Sequence, residues 1–143
     1  MAEPRLTARQ RATIIHRACG CCEYCWAQER FAPDPFSVEH IVPSAKGGAH
    51  ALSNLAYACQ GCNGRKYIST EAIDPATGET VALYHPRQHV WADHFAWSDD
   101  YTLLVALTSI GRATVDKLQL NREGLVNLRR VLVTVGEHPP ECP

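Results

Sequence analysis

The sequence has no long apolar run and no excess of charge of either sign. None of its apolar stretches approaches the roughly 18 residues that a membrane span needs, and the opening MAEPRLTARQ has no apolar segment typical of an export signal. A net charge of −1 neither indicates nor excludes a nucleic-acid partner, because phosphate binding depends on where positive charge lies. Internal repeats, linkers and low-complexity segments are missing too. We therefore expect one domain, residues 1–143, in the cytoplasm and without membrane association.

Cysteine, in contrast, is abundant, with seven in the chain. Four of the seven form two Cys-x-x-Cys pairs, Cys22 with Cys25 and Cys59 with Cys62. In a chain without an export signal, such pairs indicate a metal site. Zn²⁺ takes four ligands in a tetrahedron, and a closed set of four thiolates predicts a structural zinc rather than a catalytic one. The alternative is two independent redox or buried pairs. Cys19 and Cys21 leave the ligands of the first pair open, and Cys142 has no predicted role.

The front half of the chain, about 20–70, carries these cysteines and a group of polar residues between them. A helix is predicted from Leu6 to Cys19, with Thr7 as its cap. The run PFSVEHIV predicts a strand with Glu39 and His40 at its end, and PSAKGGAHALSN predicts a polar loop. CQGCNGRK predicts a zinc knuckle that leads into a helix.

The back half, about 75–138, predicts a scaffold. The turn DPATGET precedes a strand from Thr80 to Tyr84, and the segments HFAW and YTLLVAL predict a β-hairpin around Asp99-Asp100. One helix is predicted from Thr108 to about Leu118. A second is predicted to begin at a cap formed by Asn121.

From Ser37 to Lys66 the sequence resembles the HNH endonucleases of the ββα-metal (His-Me finger) fold. EHIVP matches their acidic-His-hydrophobic-x-Pro signature, LSNL matches the central Asn, and CNGRK matches the final Asn or His followed by a basic residue. The segments TEAIDPATGETVALYHPRQHVWADHFAW and TSIGRATVDKLQLNR resemble the C-terminal extension of small bacterial members, so the resemblance covers most of the chain. The resemblance implies an α+β fold with a ββα-metal core and a four-cysteine zinc site. The residue pattern of the back half adds a β-hairpin and C-terminal helices to this core. The resemblance also implies cleavage of DNA, expected to be double-stranded, although DNA against RNA stays open.

The resemblance assigns roles that the side chains can perform. His40 would take a proton from a water molecule, and Asn54 would fix the loop and orient His40. Glu39 and Asn63 would offer oxygen ligands to a catalytic Mg²⁺ or Mn²⁺. Arg65 and Lys66, expected at the start of a helix, could hold phosphate, although solvated charges are an equal alternative.

Other interpretations remain open. His50, His85 and His89 fit no required position, and ordinary packing is favoured for them. The chain could be a zinc-stabilised nucleic-acid-binding module without nuclease activity, or an electron carrier of the rubredoxin type, which also uses two Cys-x-x-Cys pairs. A rubredoxin, however, needs neither EHIVP nor the two Asn residues. Base specificity and oligomeric state have no signal in the sequence.

Overall fold

The computed structural model describes residues 5–142, and its first element is a capped helix. This helix, α1, spans Ala8–Arg17. The Thr7 hydroxyl accepts the backbone N–H of Gln10, and the Gln10 side chain accepts the backbone N–H of Thr7. The predicted cap is confirmed. The helix ends before the predicted Cys19 because Cys19 and Gly20 both have positive φ.

A hairpin and a helix form the centre of the fold. β1 (Ser37–His40) and β2 (Leu55–Ala58) are antiparallel, with His40 opposite Leu55. The helix α2 (Gln60–Lys66) follows β2 directly and packs against β1. The expected ββα order is therefore present in a mixed α and β protein.

The helix α2 begins earlier than the sequence predicted. Cys59 is its N-cap, and the Cys59 sulfur accepts the backbone N–H of Cys62 at 3.4 Å. The segment CQGCNGRK thus forms the helix instead of leading into it. Arg65 and Lys66 lie in the last turn, where the backbone presents carbonyl groups and not the N–H groups that bind phosphate. The prediction that these two residues begin a helix is wrong.

The chain after α2 opens with a second hairpin, made of β3 (Glu71–Ile73) and β4 (Thr80–Ala82). Its turn is fixed by Asp74, which is fully buried. Arg112 donates to both carboxylate oxygens of Asp74, from Nε at 2.9 Å and from Nη2 at 2.7 Å. This bidentate pair holds the pKa of Asp74 below its ordinary value and ties the turn to a helix further along the chain.

The rest of the chain alternates short helices and strands. In chain order these are α3 (Trp91–His94), β5 (Phe95–Trp97), β6 (Leu104–Ala106), α4 (Ser109–Leu118) and α5 (Glu123–Thr134). The predicted hairpin around Asp99-Asp100 is the β5–β6 pair, and Thr108 caps α4. The predicted cap at Asn121 is wrong: Arg122 occupies that position, and the Asn121 side chain instead bonds the backbone of Leu104. Among residues 5–142, no helix combines the length and apolarity needed to cross a membrane.

One hydrophobic cluster joins the two halves of the chain. The helix α4 packs against α2, β3, β4 and β6, so the back half covers one side of the ββα unit. Large apolar members of the cluster come from both halves, among them Tyr24, Leu55, Tyr57, Phe95, Leu118 and Leu120. The cysteines of the two Cys-x-x-Cys pairs belong to the same cluster.

Candidate metal centre and active site

Four cysteines from separate elements meet in the core. Cys22 and Cys25 lie in the turns after α1, Cys59 directly follows β2, and Cys62 lies in the first turn of α2. All four are buried, and their sulfur atoms lie within 4.8 Å of one another. Cys25 Sγ and Cys59 Sγ are 3.7 Å apart, close to the edge of about 3.8 Å for a tetrahedron with metal–sulfur bonds of about 2.3 Å. The cluster therefore fits one tetrahedral metal ion.

Cys19 and Cys21, which the sequence left as alternative ligands for the first pair, make other contacts. Cys21 Sγ lies 3.4 Å from the carbonyl oxygen of Cys19, and Cys19 forms a disulfide with Cys142. The disulfide gives Cys142 a role that its position in the sequence did not suggest. The ligand set is thereby resolved in favour of Cys22 and Cys25 for the first pair.

A guanidinium group lies beside the cysteine cluster. Arg122 Nη1 is 3.6 Å from Cys62 Sγ, and Arg122 Nη2 is 3.6 Å from Cys59 Sγ. Gly61 permits this approach, since a Cβ there would lie 2.5 Å from Arg122 Nη2. Burial raises the pKa of the Cys22 thiol well above its ordinary value, so thiolates at this position need a cation close by. Arg122 supplies positive charge in addition to any bound ion.

Glu39 and Lys66 form a buried ion pair where β1 meets α2. Lys66 is 1% exposed and Glu39 6% exposed. Lys66 Nζ lies 3.3 Å from Glu39 Oε2 and donates to the carbonyl oxygen of Ile41 at 2.8 Å, while the Tyr24 hydroxyl donates to Glu39 Oε1. Burial raises the pKa of Glu39, although Lys66 and Tyr24 both act to lower it. The structure therefore places Lys66 in the core with its charge already paired, and of the two predicted phosphate-binding residues Arg65 is the exposed one.

His40 lies on the opposite face of β1 from Glu39, because neighbouring strand residues alternate. Its Nε2 is 3.1 Å from Nδ1 of His50, and the two ring centroids are 5.2 Å apart. One histidine must donate to the other in this contact. The sequence did not place His50 in the site. Only the fold of the loop after β1 brings it back to His40.

Asn54 closes that loop. Its Oδ1 accepts the backbone N–H of Val42 at 2.9 Å, and its Nδ2 donates to the carbonyl oxygens of Val42 and Ala49 at 2.9 and 2.7 Å. The loop also passes very close to itself at Gly48, where a Cβ would lie 1.7 Å from the Val42 carbonyl oxygen. The Asn54 side chain therefore sets the path of the chain directly after His40.

Asn63 is half-buried on α2, directly after the cluster residue Cys62. It precedes Lys66 by three residues, so the two side chains lie on neighbouring positions of one helix face. Because Lys66 reaches Glu39, this face of α2 is directed toward β1. Cys62, Asn63 and Lys66 thereby lie on one short helix, and Lys66 at its end reaches Glu39.

Part of the chain matches a known protein family. Residues 22–67 match the family model described as HNH endonuclease. The matched segment runs from the first cluster cysteine through β1, β2 and α2. No curated protein and no solved structure matches the chain. The resemblance drawn from the motifs is confirmed over these residues, and the four-cysteine cluster is consistent with the zinc-knuckle type of the family.

Proposed function

From the match of residues 22–67 to the HNH endonucleases, we propose that the protein is a metal-dependent endonuclease that hydrolyses phosphodiester bonds of double-stranded DNA. The observation that carries the proposal is that the matched segment folds as a ββα unit with His40 at the end of its first strand. His40 is half-buried, and its neighbour Asn54 fixes the loop that follows. A base needs this combination of access to substrate and a fixed position.

His40 acts as the general base in this proposal. A neutral imidazole can remove the proton from an attacking water molecule near neutral pH. The contact with His50 Nδ1 restrains the His40 ring and couples its tautomer to that of His50. His50 is thus a positioning residue that acts through His40.

Two kinds of metal ion have separate tasks in the proposal. Cys22, Cys25, Cys59 and Cys62 would hold a structural Zn²⁺, because four protein ligands would leave it no open position. Glu39 and Asn63 would hold Mg²⁺ or Mn²⁺, and their oxygen atoms suit such an ion, which stabilises negative charge on a phosphate when it is bound. Glu39 would have to share its carboxylate with Lys66 and Tyr24, which already contact it. Each carboxylate oxygen can accept more than one contact.

The second candidate is a zinc-stabilised nucleic-acid-binding module without nuclease activity. The buried Glu39–Lys66 pair favours this candidate, because Lys66 already supplies a positive charge to the carboxylate. Such a module would bind DNA but would not need His40 for any measurable activity.

The test is nicking of a supercoiled plasmid in Mg²⁺ or Mn²⁺ by the wild-type protein, by His40→Ala and by His16→Ala. His16 is an exposed residue at the end of α1, so His16→Ala controls for loss of a histidine as such. We expect nicking by the wild type and His16→Ala, and a loss of about a hundredfold or more in His40→Ala. Equal nicking by all three would remove His40 from the mechanism. Binding of duplex DNA without cleavage under either metal would favour the binding module.

A further inference from the structure

A cleft of about 400 Å³ opens beside the loop that Asn54 closes. One wall is formed by residues of that loop, among them Val42 and Asn54. The other wall is the turn that contains His85, Arg87 and Gln88. This turn lies outside residues 22–67, so the second wall comes from a part of the chain that the family match does not cover.

The turn fixes the tautomer of His85. Its Nδ1 accepts the backbone N–H groups of Arg87 and Gln88, each at 3.2 Å. A neutral imidazole that accepts at Nδ1 carries its proton at Nε2. Burial, followed by the positive charges of His89 and Lys66, lowers the pKa of His85 from its ordinary value. His85, which lines the cleft, therefore carries a neutral N–H donor at Nε2.

The remaining charges around the cleft favour an anionic ligand that does not need a strongly cationic partner. Arg87 is paired with the buried carboxylate of Glu23, which neutralises its charge. Of the described residues that line the cleft, none is acidic. Lys66, whose charge acts on His85, donates to the carbonyl oxygen of Ile41 next to His40, so the cleft lies alongside the end of β1.

We propose that this cleft binds the phosphodiester backbone of the DNA next to the bond that is cut, and that His85 Nε2–H donates to a non-bridging phosphate oxygen. The proposal rests on the proposed function, since it adds a substrate contact to the same site. It makes the back half of the chain part of the substrate-binding surface. The contact is a hydrogen bond from a neutral group, and this distinguishes it from the usual contact of phosphate with Lys or Arg.

Two substitutions at His85 distinguish loss of the proposed donor from loss of the hydrogen bonds that fix the turn. In His85→Asn, the amide oxygen can accept the same two backbone N–H groups as Nδ1, but the donor at the position of Nε2 is gone. In His85→Gln, the amide nitrogen can take the position of Nε2, but the acceptor that fixes the turn is displaced. Thermal unfolding of each variant shows whether the turn still supports the fold.

The experiment is fluorescence anisotropy with a labelled DNA duplex, in the His40→Ala background so that the DNA stays intact without a chelator. We expect His85→Asn to bind the duplex about tenfold more weakly, as for loss of one hydrogen bond to a charged acceptor. We expect His85→Gln to retain more affinity than His85→Asn. The slope of log K against log salt should be the same in all three proteins, because a neutral donor displaces no counterion.

Two results would overturn the inference while leaving the nuclease proposal in place. One is equal affinity of His85→Asn and its parent for the duplex. The other is a weaker affinity with a shallower salt slope, since that would identify His85 as a cation. If the parent binds no duplex and the wild type does not nick plasmid, the proposed function fails and the inference fails with it.

Discussion

Replacement of Lys66 by methionine should strongly destabilise the fold. Methionine keeps most of the side-chain volume but removes Nζ, which contacts Glu39 Oε2 at 3.3 Å and the Ile41 carbonyl oxygen at 2.8 Å. Glu39, 6% exposed, would then keep the Tyr24 hydroxyl but lose its only described cation. Loss of one partner of a buried ion pair costs about 3–5 kcal/mol of the free energy of unfolding. In a chain of this size, that corresponds to a fall in Tm of about 10–17 °C.

Urea unfolding of the zinc-loaded protein measures this difference. Arg65→Met is the matched control, because Arg65 is the exposed neighbour of Lys66 on the same helix; its effect should stay within about 0.5 kcal/mol. Glu39→Gln combined with Lys66→Met should recover part of the loss, since no uncompensated charge then remains in the core. A cost below about 1 kcal/mol for Lys66→Met would contradict the buried pair. If Lys66→Met kept its stability but lost affinity for DNA, the original assignment of Lys66 to phosphate would return.

Three further predictions concern the metal, the positioning histidine and the acid range. Removal of zinc should abolish nicking even with Mg²⁺ present, because Asn63 directly follows the cluster residue Cys62. Full activity of the zinc-free protein would contradict this prediction. Elemental analysis is the control that shows whether zinc has been removed. His50→Leu should lower the kcat of plasmid nicking by up to about tenfold at unchanged KM. His50→Asn keeps an acceptor near the position of Nδ1 and should retain more activity. Equal kcat in the two variants would remove His50 from the mechanism. Because the folded-state pKa of Asp74 lies below its ordinary value of 3.8, its ion pair stabilises the fold above about pH 4, and this contribution is lost as the pH falls toward the folded-state pKa. Asp74→Asn should therefore show a smaller loss of unfolding free energy between about pH 5 and about pH 3 than the wild type in urea titrations, and equal losses would contradict the assignment.

The features that the sequence predicted depend on short-range spacing. A Cys-x-x-Cys turn presents two sulfur atoms locally, and the alternation of apolar residues around Glu39 and His40 indicates a strand. The cluster and the ββα order follow from such patterns. The cap at Thr7 is likewise a local signal, since it needs only Gln10 three residues later.

The features that the sequence did not predict depend on contacts between distant residues. Arg122 lies 60 residues from Cys62, and no pattern near it indicates a thiolate partner. His50 contacts His40 only because Asn54 holds the loop that folds it back. Lys66 is buried only because α2 begins at the cysteine pair and directs its last residues toward β1. The local sequence around a basic residue at the end of such a helix is the same whether that residue faces DNA or a buried carboxylate.

The position of Arg122 bears on where the functional unit ends. Four thiolates around a divalent ion carry a net charge of two minus, and this charge lies in a part of the core from which water is excluded. The guanidinium next to Cys59 and Cys62 is placed where it could balance that charge, yet it belongs to the start of α5, far beyond the matched residues 22–67. A fragment trimmed to the matched segment would keep every ligand and lose the charge that balances them. We therefore expect the smallest piece that binds a metal ion in this cluster, as the whole chain would, to reach at least to α5.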